Sequence, residues 1–132
     1  MKLESKKTYL NFFKQINEVK SKLKKLLHSI ILDNKIIHGY GASTKGNVIL
    51  QYFEINRKYI KFIADRNLNK FNHYTPGTKI KIISEKKSRK LSPDYYLVLP
   101  WHFKREILRR EKLTIKRGSK FIFPFPKLNI YQ

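Results

Sequence analysis

Apolar residues recur at three- and four-residue spacing from about Thr8 to Leu32. Phe12, Phe13, Ile16, Val19, Leu23, Leu26, Leu27 and Ile30 fall on one stripe, which predicts a long amphipathic helix. Lys14, Lys20, Lys22, Lys24 and Lys25 lie between them and face water. Such a helix either packs on a core or offers a basic surface to a membrane or a partner chain. Asp33-Asn34 ends it. The pattern then changes to short apolar runs separated by helical stretches. Ile36–His38, Tyr59–Ala64, Lys79–Ile83, Tyr95–Leu99 and Phe121–Phe123 read as strands, with helices over Thr44 to about Glu54, Ser84–Arg89 and Trp101 to about Lys112. Pro76-Gly77, Ser92-Pro93 and Gly118 punctuate the connections. Strands alternating with helices predict an α/β, Rossmann-like parallel sheet of about five strands with helices on both faces. The expected organisation is a single domain over residues 1–132, with an N-terminal helix (1–34) and an α/β core (35–126).

The first strand runs into Gly39-Tyr40-Gly41-Ala42-Ser43-Thr44-Lys45-Gly46-Asn47, after which Val48, Ile49 and Leu50 begin a helix. A strand, a glycine turn and a helix together aim backbone N–H groups at an anion, usually a phosphate. Ser43 or Thr44 can cap the helix. The turn matches no standard template. Thr44 stands where the dinucleotide fingerprint has its third glycine. Gly41 and Gly46 have the phosphate-loop separation, yet Asn47 and Val48 follow in place of lysine and a hydroxyl. Its functional reading is phosphate binding; its structural reading is a tight turn that packs the helix on the sheet. In parallel sheets ligands bind beyond the carboxyl ends of the strands, where strand order reverses. Gly39–Asn47, Asp65-Arg66-Asn67 and Pro100-Trp101-His102 all fall at such ends and are expected to converge.

Composition narrows the field. The 132 residues contain no cysteine, which excludes disulfides and thiolate zinc sites. No apolar run reaches the roughly 18–20 residues of a membrane span. Met1–Lys7 is polar, and a soluble, cytoplasmic protein without a membrane partner is expected. With 30 Lys and Arg against 9 Asp and Glu, the net charge is +21. Such a field attracts nucleic acid or phosphorylated ligands without specifying either. The charges are scattered along the chain, however, as solvated faces and a general bias toward lysine would leave them. A nucleic-acid-binding module is the second reading, supported by 8 Tyr and 9 Phe but lacking the compact signatures of known modules. A dinucleotide-binding Rossmann module is a further alternative.

Asp65 ends the second strand near the place where dinucleotide-binding folds put their ribose-binding acid. The other reading is an aspartate capping its own turn with Asn67. Trp101 offers a flat face for a base or sugar, or an anchor for the following helix. His102 can bond a phosphate. His28 and His73 read as surface residues, and His38, inside an apolar strand, as a packed histidine.

Gly39–Asn47, Ala64-Asp65-Arg66-Asn67 with Lys70, Pro76-Gly77-Thr78, Leu99-Pro100-Trp101-His102-Phe103-Lys104 and Phe123-Pro124-Phe125-Pro126 occur in a characteristic order. Together they resemble the C-terminal domain of the S-adenosylmethionine-dependent sugar C-methyltransferases, whose motifs read like GYGASAKGN, DRN, PGT and LPWNF. The resemblance covers about Asn11 to Pro126. Thr44 replaces a usual alanine and His102 a usual asparagine. The resemblance implies a Rossmann-like domain that helps to hold a nucleotide sugar, or another phosphorylated small molecule. Catalysis and S-adenosylmethionine would belong to a separate methyltransferase domain, so no catalytic residue and no cofactor is carried over. The residues carried over as substrate-binding are Gly39, Tyr40, Gly41, Ala42, Ser43, Lys45, Gly46 and Asn47. Asp65, Arg66 and Asn67 follow, with Trp101 and His102 nearby.

Overall fold

A computed structural model of the protein describes residues 2–132, and the side chains of residue 7 and residues 10–132. Its core is a six-stranded sheet in the order β3-β2-β1-β4-β5-β6. The strands are β1 (Ile37–Tyr40), β2 (Ile63–Asp65), β3 (Ile82–Ser84), β4 (Tyr95–Val98), β5 (Lys120–Phe123) and β6 (Asn129–Tyr131). The first five are parallel. The exposed β6 adds an antiparallel edge beyond the strands expected from the pattern.

Each strand alternates its side chains between two faces. Ile37, Ile63, Ile82, Leu97 and Ile122 point to one side, where α1 (Lys2–Leu32) supplies Leu23, Leu27 and Ile30, and α2 (Thr44–Tyr52) supplies Ile49 and Leu50. Tyr40, Ala64, Tyr96, Val98, Phe121 and Phe123 point to the other side, against Ile107 of α4 (Lys104–Arg110) and Ile115 of α5 (Lys112–Lys116). The α3 helix (Glu85–Leu91) covers that same side, with buried Ser88 reaching His38 and Tyr96. Among the described residues, no helix is long and apolar enough to cross a membrane.

Several elements differ from the sequence pattern for local reasons. Among the described residues, the stripe of α1 packs on the core cluster from Ile16 onward, and Phe12 is 58% exposed. Tyr59 and Ile60 close a turn on the Asn56 carbonyl, so regular β2 starts at Ile63. The Thr75–Lys79 turn likewise delays β3, with Lys79 at φ 53° and Gly77 at φ 76°. The helix after β4 is a 3-10 turn (Trp101–Phe103) followed by α4 and α5. The break falls at Glu111, whose buried carboxylate is held by Tyr40, Arg89 and Thr114. His38 is packed as its sequence context suggests, 1% exposed, with Nδ1 2.7 Å from Ser88 Oγ.

Candidate functional site

Strand order reverses between β1 and β4, on either side of which the chain leaves for β2 and β5. A cleft of about 300 Å³ opens there, lined at its base by Tyr40, Gly41, Ala42, Ser43, Asp65 and Pro100. Arg66, Lys70, Glu85, Phe103, Glu106, Ile107 and Arg110 complete it. The three segments expected to converge thus do so. Gly41 has φ +85°, a conformation open to glycine, and a Cβ there would stand 2.8 Å from the Pro100 ring. Gly46 packs α2 onto the end of β4, where a Cβ would lie 2.5 Å from that of Leu99. These two glycines therefore serve close packing.

The turn is braced from within. Asp65 accepts from the Ala42 amide at 2.7 Å through Oδ2 and from the Asn67 amide at 2.8 Å through Oδ1. That is the turn-capping arrangement. Asn67 in turn accepts from the Asn69 amide at 3.0 Å, away from the cleft. Ser43 is the α2 cap, accepting from the Gly46 amide at 3.0 Å. The Gly41 amide is used by the Ala64 carbonyl, and the Asn47 amide by that of Ser43. The amides of Ser43, Thr44 and Lys45 have no acceptor among the described residues. They form an electropositive helix start with no acidic residue in its first turn.

Lys70, and not the Lys45 that the family resemblance carried over, is the lysine on this cleft. Its Nζ donates to the Ala42 carbonyl at 2.7 Å and stands 4.0 Å from Asp65. Lys45 is exposed and lines no cleft described here. A second cleft of about 280 Å³ lies across the turn, sharing Ala42, Ser43 and Lys70 with the first and including Asn47, Leu50, Thr75 and Leu99. Gly39 is buried within β1, against Ile63. Trp101 packs at a tilt against Phe125, ring centres 4.9 Å apart, touching both hydrophobic clusters, and the His102 ring lies 4.3 Å from its own; neither lines either of these two clefts.

A polar network underlies the first cleft. Tyr40 donates to Glu111 Oε1 at 3.0 Å and accepts from Arg110 Nη2 at 2.6 Å. Arg110 Nη2 also donates to Glu85 at 2.7 Å, and Arg89 pairs with Glu111. Burial, with the charges of Glu111 and Glu85, pushes the Tyr40 hydroxyl well above its ordinary range, so it stays protonated and donates. Burial alone would raise the Glu111 carboxyl. Hydrogen bonds from Arg89, Thr114 and Tyr40 and the Arg89 charge outweigh it, and the carboxyl lies below its usual value. Hydrogen bonding to Glu111 raises the Arg89 guanidinium further.

The pattern reading missed Lys70, Glu85 and Arg110 as cleft residues. A signal existed for part of this wall. Phe103, Glu106, Ile107 and Arg110 follow three- and four-residue spacing, one face of a helix beginning at a strand's carboxyl end. Among the described residues, no group of three or more His, Cys, Asp or Glu is placed to hold a metal.

Residues 1–126 match the family model described as the C-methyltransferase C-terminal domain. The chain is also 33% identical over 119 residues to the C-methyltransferase NovU of Streptomyces niveus. That alignment takes in 90% of this chain and 28% of the relative, so the chain spans under a third of that protein's length. A sheet with its cleft at the β1/β4 reversal, the ordered motifs around that cleft and a match over nearly all residues lead to one assignment: the chain belongs to the C-methyltransferase C-terminal domain family.

Proposed function

We propose that this domain holds the nucleotide-sugar substrate of a C-methyltransferase reaction, in the cleft where β1, β2 and β4 end. The observation that carries the reading is that Ser43, at a helix start whose first amides have no acceptor among the described residues, lines a cleft of about 300 Å³ together with Arg66 and Lys70. Amides and cations of this kind suit a diphosphate. At about 300 Å³ the cleft is at the small end of ligand pockets, which leaves part of a nucleotide sugar for a second surface to cover. In this proposal that surface is a methyltransferase domain outside these residues. S-adenosylmethionine, which supplies the methyl group in such reactions, belongs there too. Asp65 accepts main-chain amides through both oxygens, so its carboxylate serves to brace the turn.

Calorimetric titration with a panel of nucleoside diphosphate sugars tests the reading. Saturable one-to-one binding is expected. Arg66→Ala, which removes an exposed cation while leaving the braced turn intact, is expected to weaken it about tenfold. Failure of the native protein to bind any member of the panel overturns the reading.

A further inference from the structure

Arg110 lines the first cleft together with Gly41, Ala42 and Ser43, and no sequence motif includes it. All its hydrogen bonds run through one nitrogen. Nη2 donates to the Tyr40 oxygen at 2.6 Å and to the two Glu85 oxygens at 2.7 and 3.1 Å. A guanidinium carries five N–H donors in one rigid plane. The donors on Nε and Nη1 therefore have no acceptor among the described residues. The plane itself is held in place. Its central carbon lies 5.8 Å from the centre of the Tyr40 ring, and the Tyr40 hydroxyl is anchored on buried Glu111.

We infer that Arg110 is an anion ligand of this cleft, giving a free N–H of Nε or Nη1 to a phosphate group seated beside Gly41–Ser43. The inference takes from the nucleotide-sugar reading only the identity of the molecule that bears the phosphate. Both two-donor edges of a guanidinium include Nη2, which Tyr40 and Glu85 occupy, so Arg110 contributes its charge and single N–H bonds, and a side chain already ordered by Tyr40 and Glu85 loses little freedom on binding. The carboxylates on the cleft are largely committed. Asp65 accepts two main-chain amides and Glu85 accepts from Arg110, while Glu106 has no partner among the described residues. The same helix supplies an internal control, because Arg105 and Arg109 line a different surface hollow, with Leu108 and Lys112.

The test is titration of the full chain at near-physiological salt with two probes, inorganic pyrophosphate and a nucleoside diphosphate sugar. Native protein and Arg109→Ala are expected to bind pyrophosphate alike, and Arg110→Ala to bind it about tenfold or more weakly. Arg110→Gln keeps a side chain able to hydrogen-bond Tyr40 and Glu85 but removes the charge. If Arg110→Ala lacks a cooperative thermal transition, Arg110→Gln decides: weakened binding supports the inference and native-like binding overturns it. Native-like binding by a folded Arg110→Ala overturns the inference and leaves the nucleotide-sugar reading standing. An equal loss in Arg109→Ala assigns the effect to bulk charge and also overturns it. Arg110-dependent binding of pyrophosphate without binding of the nucleotide sugar upholds the inference and sinks the reading. Binding of neither probe by native protein sinks both.

Discussion

His38 shows how one buried polar side chain sets a pH response. Its ring is packed edge-on against Phe62 and Tyr96, and its Nδ1 meets Ser88, which continues to the Tyr96 hydroxyl at 2.8 Å. Burial pushes the imidazole from its ordinary value of 6.5 down to about 4. Between those values the unfolded chain holds a proton that the folded chain does not. Stability is therefore fully present above pH 6.5 and falls as pH drops toward 4, by roughly 3 kcal/mol in all. Urea unfolding at a series of pH values is expected to show that slope in native protein. In His38→Asn the slope is expected to flatten, although the variant is less stable at neutral pH. A slope that survives the substitution would place the titrating group elsewhere.

At the scale of elements, the stripe of α1 packs on the core from Ile16 onward and leaves Leu10 and Phe12 exposed. Leu27→Ala removes a fully buried side chain and is expected to cost about 2–5 kcal/mol in chemical denaturation, whereas Phe12→Ala is expected to change stability by no more than about 0.5 kcal/mol. Equal effects would mean that the stripe is buried along its whole length. Periodicity alone could not draw this division, because it reports which side of a helix is apolar and not where the sheet beneath it stops. The strands were legible for a related reason. Ile37, Leu97 and Ile122 are apolar because helices cover both faces of their sheet. The antiparallel β6, exposed throughout, carries no such signal. The glycine turn was equally readable, and its convergence with Asp65 and Pro100 followed from topology. Lys70 was not readable as a cleft residue from the glycine motif, since a loop brings it to the turn, and Arg110 was readable only through the helical face that it shares with Phe103, Glu106 and Ile107.

Across the whole molecule, Glu111 joins parts that are far apart in the chain. It accepts from Tyr40 on β1, Arg89 on α3 and Thr114 on α5, and it marks the break between α4 and α5. Glu111→Gln is expected to lower stability by about 2–4 kcal/mol, because Arg89 and Tyr40 lose a charged acceptor beneath the cleft. The native carboxyl, held below its ordinary value, adds stability that is present above pH 4.5 and lost as pH falls further. Acid unfolding of the variant should lack that component. Retention of the full acid sensitivity would show that another carboxylate carries it. Lys70 has a different whole-molecule effect. Its bond to the Ala42 carbonyl stands on the shared boundary of the two hollows flanking the glycine turn. This single ammonium strut borders both chambers, so a guest that reaches from one into the other must step over the strut or swing it aside.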